Sequence, residues 1–316
     1  MEPIIEVKGL KKYFQTQRGL LHAVDDVTLS IERGKTLGVV GESGCGKSTL
    51  GRTIIHLLES TSGQILLEGR DITHVKDKEL RAVRERMQII FQDPYSSLDP
   101  RKSVDATIRE PLIVSKRYKK SEIDDVTREL MDFVGIDERL RNSYPHELDG
   151  GRRQRVGIAR ALALNPDFVV CDEPVSALDV SIQAQVLNLL KKLQQQKGLT
   201  YMFVTHDMSV VRHISDDICV MYLGQMVEKC PSKELFKNPL HPYTKALLSA
   251  IPSVDIHHPM KREILRGEIT SPVDPKPGCR FASRCRFVTE ACRQPQKQVE
   301  ASPGHFVTCC RLNEIV

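Results

Sequence analysis

The chain has 316 residues, with 46 Lys+Arg against 41 Asp+Glu for a formal charge of +5, nine cysteines and no tryptophan. With 28% charged and 40% apolar residues it has the composition of a globular protein with a sizeable core, which excludes a disordered chain, a collagen and a disulfide miniprotein. No apolar run approaches the roughly 18–20 residues that span a bilayer, and the small positive excess gives no ground for a nucleic-acid partner.

The first residues, Met1-Glu2-Pro3-Ile4-Ile5-Glu6, carry neither a basic n-region nor an apolar h-region, so a cytosolic chain with reduced thiols is expected. Thr36-Leu37-Gly38-Val39-Val40 is a short apolar run bounded by glycines and reads as a buried strand. Phe168-Val169-Val170-Cys171-Asp172 and Tyr201-Met202-Phe203-Val204-Thr205 read the same way. Between them Ile182, Val186, Leu189, Leu190 and Leu193 recur at helical spacing, the pattern of an amphipathic crossover helix. Apolar strands joined by helices predict a parallel sheet covered on both faces, an α/β domain over residues 1–235. After it the composition changes. Ten of the 17 prolines lie at or beyond Pro231, and five of the nine cysteines lie between Cys279 and Cys310, so 236–316 is expected to be a separate, irregular extension.

Gly41-Glu42-Ser43-Gly44-Cys45-Gly46-Lys47-Ser48 fits G-x-x-x-x-G-K-[ST] between the first strand and a helical stretch opening near Lys47. The glycines let backbone N–H groups turn inward around phosphates at a helix N-terminus, where the dipole favours negative charge. Lys47 is expected to reach the β- and γ-phosphates and the Ser48 hydroxyl to ligate Mg²⁺; Cys45 reads as a small filler. The strand ending in Asp172-Glu173 delivers two carboxylates to the C-terminal edge of the sheet, where ligands of open α/β sheets bind. There Asp172 is expected to hold Mg²⁺ through its water shell, and Glu173 to polarise the attacking water.

Further segments join these motifs in order. Gln92 stands in Phe91-Gln92-Asp93-Pro94, Leu148-Asp149-Gly150-Gly151-Arg152 precedes a helix, Ser176-Ala177-Leu178-Asp179 follows the acidic pair, and His206 stands in Thr205-His206-Asp207. With Tyr13 in Lys12-Tyr13-Phe14, the set over residues 1–230 resembles the ATP-binding cassette (ABC) ATPases. The resemblance implies a P-loop fold with a RecA-like core, an antiparallel β subdomain, an α-helical subdomain over about 93–165, and the small extension. It implies ATP and Mg²⁺ bound by Tyr13, Gly41, Ser43, Gly44, Cys45, Gly46, Lys47, Ser48 and Thr49, with the metal held by Ser48, Gln92 and Asp172. Glu173 is then the general base, with His206 and Gln92 sensing the γ-phosphate and metal. Asp149, Gly150, Gly151 and Arg152 become the signature presented to a partner's ATP, and Ser176, Ala177, Leu178 and Asp179 the D-loop of a head-to-tail dimer.

Asp93-Pro94-Tyr95-Ser96-Ser97-Leu98-Asp99-Pro100-Arg101 and Asn238-Pro239-Leu240-His241-Pro242-Tyr243-Thr244 narrow the resemblance to the dipeptide, oligopeptide and nickel importers. That implies an ATPase subunit on the cytoplasmic face of the membrane, two permease subunits, an extracytoplasmic peptide-binding protein and, indirectly, peptide cargo. Alternatives are a nickel importer, a regulatory subunit that binds ATP without hydrolysing it, and a soluble cassette acting on nucleic acid. The signature departs from the family's Leu-Ser-Gly-Gly-Gln. Asp149 caps a helix as well as serine does, but an ionised carboxylate cannot donate to a γ-phosphate. Two like charges about 4 Å apart repel by roughly 4 kcal/mol at an effective dielectric of 20, which Arg152 offsets in part. A weak site completed by this signature, and hence a heterodimer with a second homologous ATPase, is the expectation.

Cys279, Cys285, Cys292 and Cys309 are spaced C-x5-C-x6-C-x16-C, with Cys310 adjacent. Disulfides suit a reducing compartment poorly, structural zinc favours tighter pairs, and four thiolates from an irregular loop suit a [4Fe–4S] cluster. The importer subfamily's extension carries this spacing with a Gly-His-x-Val-x-Cys end like Gly304–Cys309. The resemblance thus selects Cys309 as fourth ligand of an iron–sulfur cluster, with Zn²⁺ or unligated thiols as the alternatives. Cys171, Cys219 and Cys230 are expected to be core filler.

Overall fold

The computed structural model describes residues 2–251, 265, 267 and 271–315, so part of the 236–316 extension lies outside the described residues. Along the chain run β1 (Pro3–Thr16), β2 (Gly19–Glu32), β3 (Thr36–Val40), α1 (Lys47–Ile54), β4 (Ser62–Leu67), β5 (Arg70–Asp71), α2 (Asp77–Arg86) and β6 (Met87–Ile90). Next come α3 (Pro94–Ser97), α4 (Val104–Ser115), α5 (Lys120–Val134), α6 (Gly150–Leu162), β7 (Phe168–Asp172), α7 (Val180–Lys197) and β8 (Thr200–Val204). The remainder holds α8 (Met208–Ile214), β9 (Asp217–Tyr222), β10 (Gln225–Pro231), α9 (Ser232–Lys237), α10 (Pro242–Ser249), β11 (Val299–Ser302), β12 (His305–Val307) and α11 (Leu312–Ile315). These elements form two compact units that alternate along the sequence.

One unit contains Glu32–Gly34 and His74–Met202. Its β6 and β7 pair in parallel, Met87 opposite Phe168 through Ile90 opposite Cys171, and every residue of β7 is buried. That burial explains the unbroken apolar run of β7, since a parallel strand has no wet face. The segment 93–165 carries α3 to α6. Ser103 caps α4, its hydroxyl accepting from the Ala106 amide, and Gly135 in the left-handed region (φ 72°) closes α5. On α6 the residues Val156, Ile158, Ala159 and Leu162 are buried, an apolar stripe of helical period. Arg141 pairs with Asp105, Asp124 and Glu138 and so ties α4, α5 and the turn after α5 together.

The other unit contains Pro3–Ile31, Lys35–Thr73 and the chain from Phe203 onward. Its antiparallel sheet has the order β2-β1-β4-β5, with Ile5 opposite Leu67 and Val7 opposite Ile65. Beside it β3 and β9 run parallel, Leu37 opposite Asp217 through Val40 opposite Val220, and β9, β10, β12 and β11 follow as antiparallel neighbours. The Pro- and Cys-rich extension is therefore continuous with the strands before it, because β12 hydrogen-bonds to β10 at Glu228 and Lys229. Side-chain packing repeats the connection. Tyr222 of β9, Tyr243 of α10 and Phe281 form an aromatic triad with ring centroids 4.7, 5.3 and 5.4 Å apart, in one apolar core with Val40 and Val220.

Candidate active site

The phosphate loop is built by its glycines. Gly41 (φ 150°) and Gly46 (φ 102°) have no room for a Cβ, which would lie 2.2 Å from the Met221 carbonyl oxygen and 2.0 Å from that of Ala23. Buried β3 delivers the loop, and α1 opens at Lys47 with Ser48 and Thr49 in its first turn. The Lys47 ammonium donates to the carbonyls of Gly41 (2.9 Å) and Glu42 (3.0 Å), which pins it across the loop. Ser43 and Gly44 form its exposed tip. The Cys45 thiol is buried, and that burial raises its pKa above the ordinary value despite Lys47, as suits a filler and not a nucleophile.

Other residues of the same unit frame the loop. The Thr205 amide donates to the Val39 carbonyl at 3.1 Å, so His206, exposed at the end of β8, is anchored beside the strand that carries the loop. Tyr13 stacks on His22 (centroids 3.9 Å apart) and donates its hydroxyl to Asp25. Burial and then that bond raise the Tyr13 pKa, while Tyr13, His22 and Arg280 overcome the burial of Asp25 and keep its carboxyl below the ordinary value.

The acidic pair belongs to the first unit. Asp172 is fully buried at the end of β7 and Glu173 follows in the left-handed region (φ 47°), where a non-glycine residue is strained. The Gln92 amide donates to Glu173 Oε2 at 3.1 Å, so the structure brings these two together. Asp149 caps α6, accepting from the Arg152 amide at 2.7 Å, and its other oxygen lies 3.4 Å from Arg152 Nε. Asp179 likewise caps α7 through the Ile182 amide at 3.0 Å, and Ser176 donates to the Glu173 carbonyl at 3.1 Å. Gly150 and Gly151 pack against the 176–182 segment directly: a Cβ would sit 3.2 Å from Leu178 and 2.6 Å from Ile182.

A family model described as "ABC transporter" matches residues 24–176, and one described as "Oligopeptide/dipeptide transporter, C-terminal region" matches 227–292. The Oligopeptide transport ATP-binding protein AppF of Bacillus subtilis (strain 168) is 50% identical over 319 residues, spanning 98% of this chain and 97% of that protein. This chain belongs to the ATP-binding subunits of the oligopeptide/dipeptide ABC transporters. The Dipeptide transport ATP-binding protein DppF of Haemophilus influenzae is 46% identical, over 98% of this chain and 97% of that one. Among solved structures, the post-hydrolysis dimer of the ATP-binding cassette MJ0796 bound to ADP and Pi matches with TM-score 0.65 and 31% identity, over 72% of this chain and 98% of that one. The fold is thus that of a P-loop ABC ATPase. Among the described residues no helix is long and apolar enough to cross a membrane.

In this cassette the extension gathers its cysteines. Cys279, Cys285, Cys292, Cys309 and Cys310 line one pocket with Phe281. The Cys279 amide donates to the Cys292 carbonyl at 2.8 Å, and the Cys292 and Cys310 sulfurs are 3.8 Å apart. Burial pushes the Cys279 thiol up to about 12, with the charges of Cys292, Cys309 and Cys285 acting in the same direction. Among the described residues the sulfurs of Cys279, Cys285, Cys292 and Cys309 do not form a group of three or more within 4.8 Å of one another, and the thiol in contact with Cys292 is Cys310, not the expected Cys309. Cys171, Cys219 and Cys230 are fully buried in strands.

Three features escaped the sequence reading. Glu228, fully buried in β10, accepts from the Leu240 amide (2.8 Å) and the His241 amide (2.9 Å) and bonds His305 Nε2 at 2.7 Å. Its oxygens approach Cys230 as well, but with three partners already in place the carboxylate acts as a brace between β10, α10 and β12. Arg284 grips Glu42 of the phosphate loop, and Arg280 grips Asp25. Only the Gly-His spacing before Cys309 flagged His305, and nothing local marked the arginines.

Proposed function

We propose that this subunit hydrolyses ATP to drive import of di- or oligopeptides through a membrane permease, docked on the cytoplasmic face. The observation that carries the chemistry is the 3.1 Å contact between Gln92 and Glu173 beside buried Asp172. In this reading Glu173 takes a proton from water as the water oxygen bonds to the γ-phosphorus and the bond to the ADP oxygen breaks. Gln92 orients that carboxylate, and Lys47 with the loop amides neutralises charge growing on the phosphates. When bound, Mg²⁺ adds charge compensation between the β- and γ-phosphates; Ser48, Gln92 and Asp172 would hold it. Glu173→Gln should abolish turnover and trap ATP-bound dimers, and unchanged turnover refutes the assignment.

The cargo follows from the relatives' names and the matched C-terminal region, and co-purification of the permeases with a radiolabelled-peptide uptake assay tests it. Asp149 supports a heterodimer with a second ATPase whose ATP meets this signature, leaving that site weak. A regulatory, non-hydrolysing role is the second reading that Asp149 favours. Asp149→Ser should raise turnover of the assembled complex; an unchanged rate, with full family activity of this chain alone, overturns the asymmetry. We further assign the Cys279, Cys285, Cys292 and Cys309 thiolates to a [4Fe–4S] cluster, with Zn²⁺ as the alternative. Anaerobic purification followed by iron and acid-labile sulfide assays decides it, and colourless protein that contains zinc or no metal removes the cluster.

A further inference from the structure

Two arginines of the cysteine loop, each adjacent to one of its thiols, leave that loop and end at the nucleotide site. Arg284, 7% exposed, places Nη1 2.8 and 3.1 Å from the two carboxylate oxygens of Glu42, the second residue of the phosphate loop. From α10 the Tyr243 hydroxyl accepts the Glu42 amide hydrogen at 2.9 Å. Glu42 is therefore held by backbone and side chain at once, with its acidic group turned onto the arginine beside a loop built for phosphate. Arg280, 6% exposed, bonds both the Leu223 carbonyl and Asp25. Asp25 carries the Tyr13 hydroxyl, and the next residue after Leu223, Gly224, donates its amide to the Cys45 carbonyl at 2.8 Å.

A carboxylate at the second loop position opposes a bound polyphosphate unless it is compensated. Arg284 supplies that compensation with a charge-assisted pair sheltered from water, where such a pair is stronger than at the surface. Arg280 does the same for the Asp25–Tyr13 pair and also holds the turn that supports Cys45. The extension thus reaches the phosphate end of the site at Glu42 and its aromatic end at Tyr13.

We propose that Arg284, Arg280 and Tyr243 of the C-terminal extension are positioning residues of the nucleotide site, which set its affinity for ATP by fixing and neutralising Glu42 and by holding Asp25 under Tyr13. The proposal rests on the reading that the phosphate loop binds ATP, and the Lys47→Ala control separates the two. The assay is titration of full-length protein with a fluorescent ATP analogue and Mg²⁺, alongside KM and kcat of the assembled complex and thermal melting of each variant.

Arg284→Ala should weaken nucleotide binding about tenfold and raise KM more than it lowers kcat, the size of one lost charge-assisted bond. Glu42→Gln added to Arg284→Ala should restore most of that affinity, because the uncompensated carboxylate is gone; a merely structural arginine would give no such rescue. Tyr243→Phe, which keeps the aromatic packing, should weaken binding by a smaller factor, and it serves as the test if Arg284→Ala does not fold. Wild-type-like affinity in Arg284→Ala and Tyr243→Phe, with binding lost in Lys47→Ala, overturns the positioning role. Absence of rescue by Glu42→Gln overturns the charge argument. Wild-type-like binding in Lys47→Ala overturns the underlying loop reading instead.

Discussion

Two glycines of α6 should respond to the same substitution with opposite signs. Gly151 is the second residue of the helix, and a Cβ there would lie 2.6 Å from Cγ2 of Ile182 in α7, against 3.4–4 Å for ordinary contact. Cγ2 is attached directly to the Cβ of a β-branched side chain, so it cannot swing aside without moving α7. Forcing a methyl into such a contact costs about 1–3 kcal/mol. The helix returns only about 0.5–1 kcal/mol for exchanging glycine for alanine. Gly157→Ala, in the middle of the same helix, meets nothing within 4 Å and should keep that gain in full. Gly151→Ala should therefore be destabilised by about 1 kcal/mol and Gly157→Ala stabilised by a similar amount, read as opposite shifts of the urea midpoint. Because Gly151 and Ile182 join α6 to α7, and the proposed signature and D-loop stand at the starts of these helices, Gly151→Ala should also lower ATPase turnover while Gly157→Ala leaves it near wild type. Equal signs for the two variants would refute the steric reasoning.

Burial drives the His241 pKa from its ordinary 6.5 down to about 4, although Glu228 pulls the other way. The unfolded chain then binds a proton that the folded chain rejects, so this contribution is complete above pH 6.5 and is lost as pH falls toward 4. Wild type should lose about 2 kcal/mol more than His241→Asn between pH 7 and 5, because asparagine keeps the cap on the Tyr243 amide and removes the titration. Equal acid sensitivity of the two proteins counts against it. Glu228→Gln should cost about 2 kcal/mol, since one amide oxygen cannot serve the three partners that the carboxylate holds; a urea midpoint within error of wild type would show the brace to be dispensable. On the proposal that the extension's thiolates hold a metal, chelation should speed proteolysis within 279–310 while β1 to β3 stay protected, and identical digestion patterns would exclude a structural metal.

How much was legible follows from the range of each interaction. The phosphate loop could be read because strand, glycines and helix start within a dozen residues, and β3 ends and α1 begins where the motif requires. Asp149 as a helix cap, and its pairing with Arg152, follow from a spacing of three residues. The left-handed backbone of Glu173 carried no signal, since glutamate has no preference for it and tertiary context imposes it. Glu228 was equally silent, because a charge inside an apolar strand reads as an outward-facing position until its three partners are seen.

The contacts that join the extension to the nucleotide site span 201 residues from Glu42 to Tyr243, 242 from Glu42 to Arg284 and 255 from Asp25 to Arg280. No periodicity or local motif encodes a pairing at that separation. What the sequence did show was a break in composition near Pro231, and a break suggests an appendage. The strand pairing of β12 with β10 reverses the functional weight of that break. Compositional boundaries mark where the rules of local structure change, whereas the packing core is indifferent to them: Phe281 and Tyr243 complete the same apolar cluster as Val40, the residue that delivers the phosphate loop. A segment whose side chains share a core with Val40 and whose Arg284 is paired with Glu42 of the loop is mechanically tied to that loop, and that is the physical reason to look for ATP-affinity effects in the cysteine loop as well as in the phosphate loop.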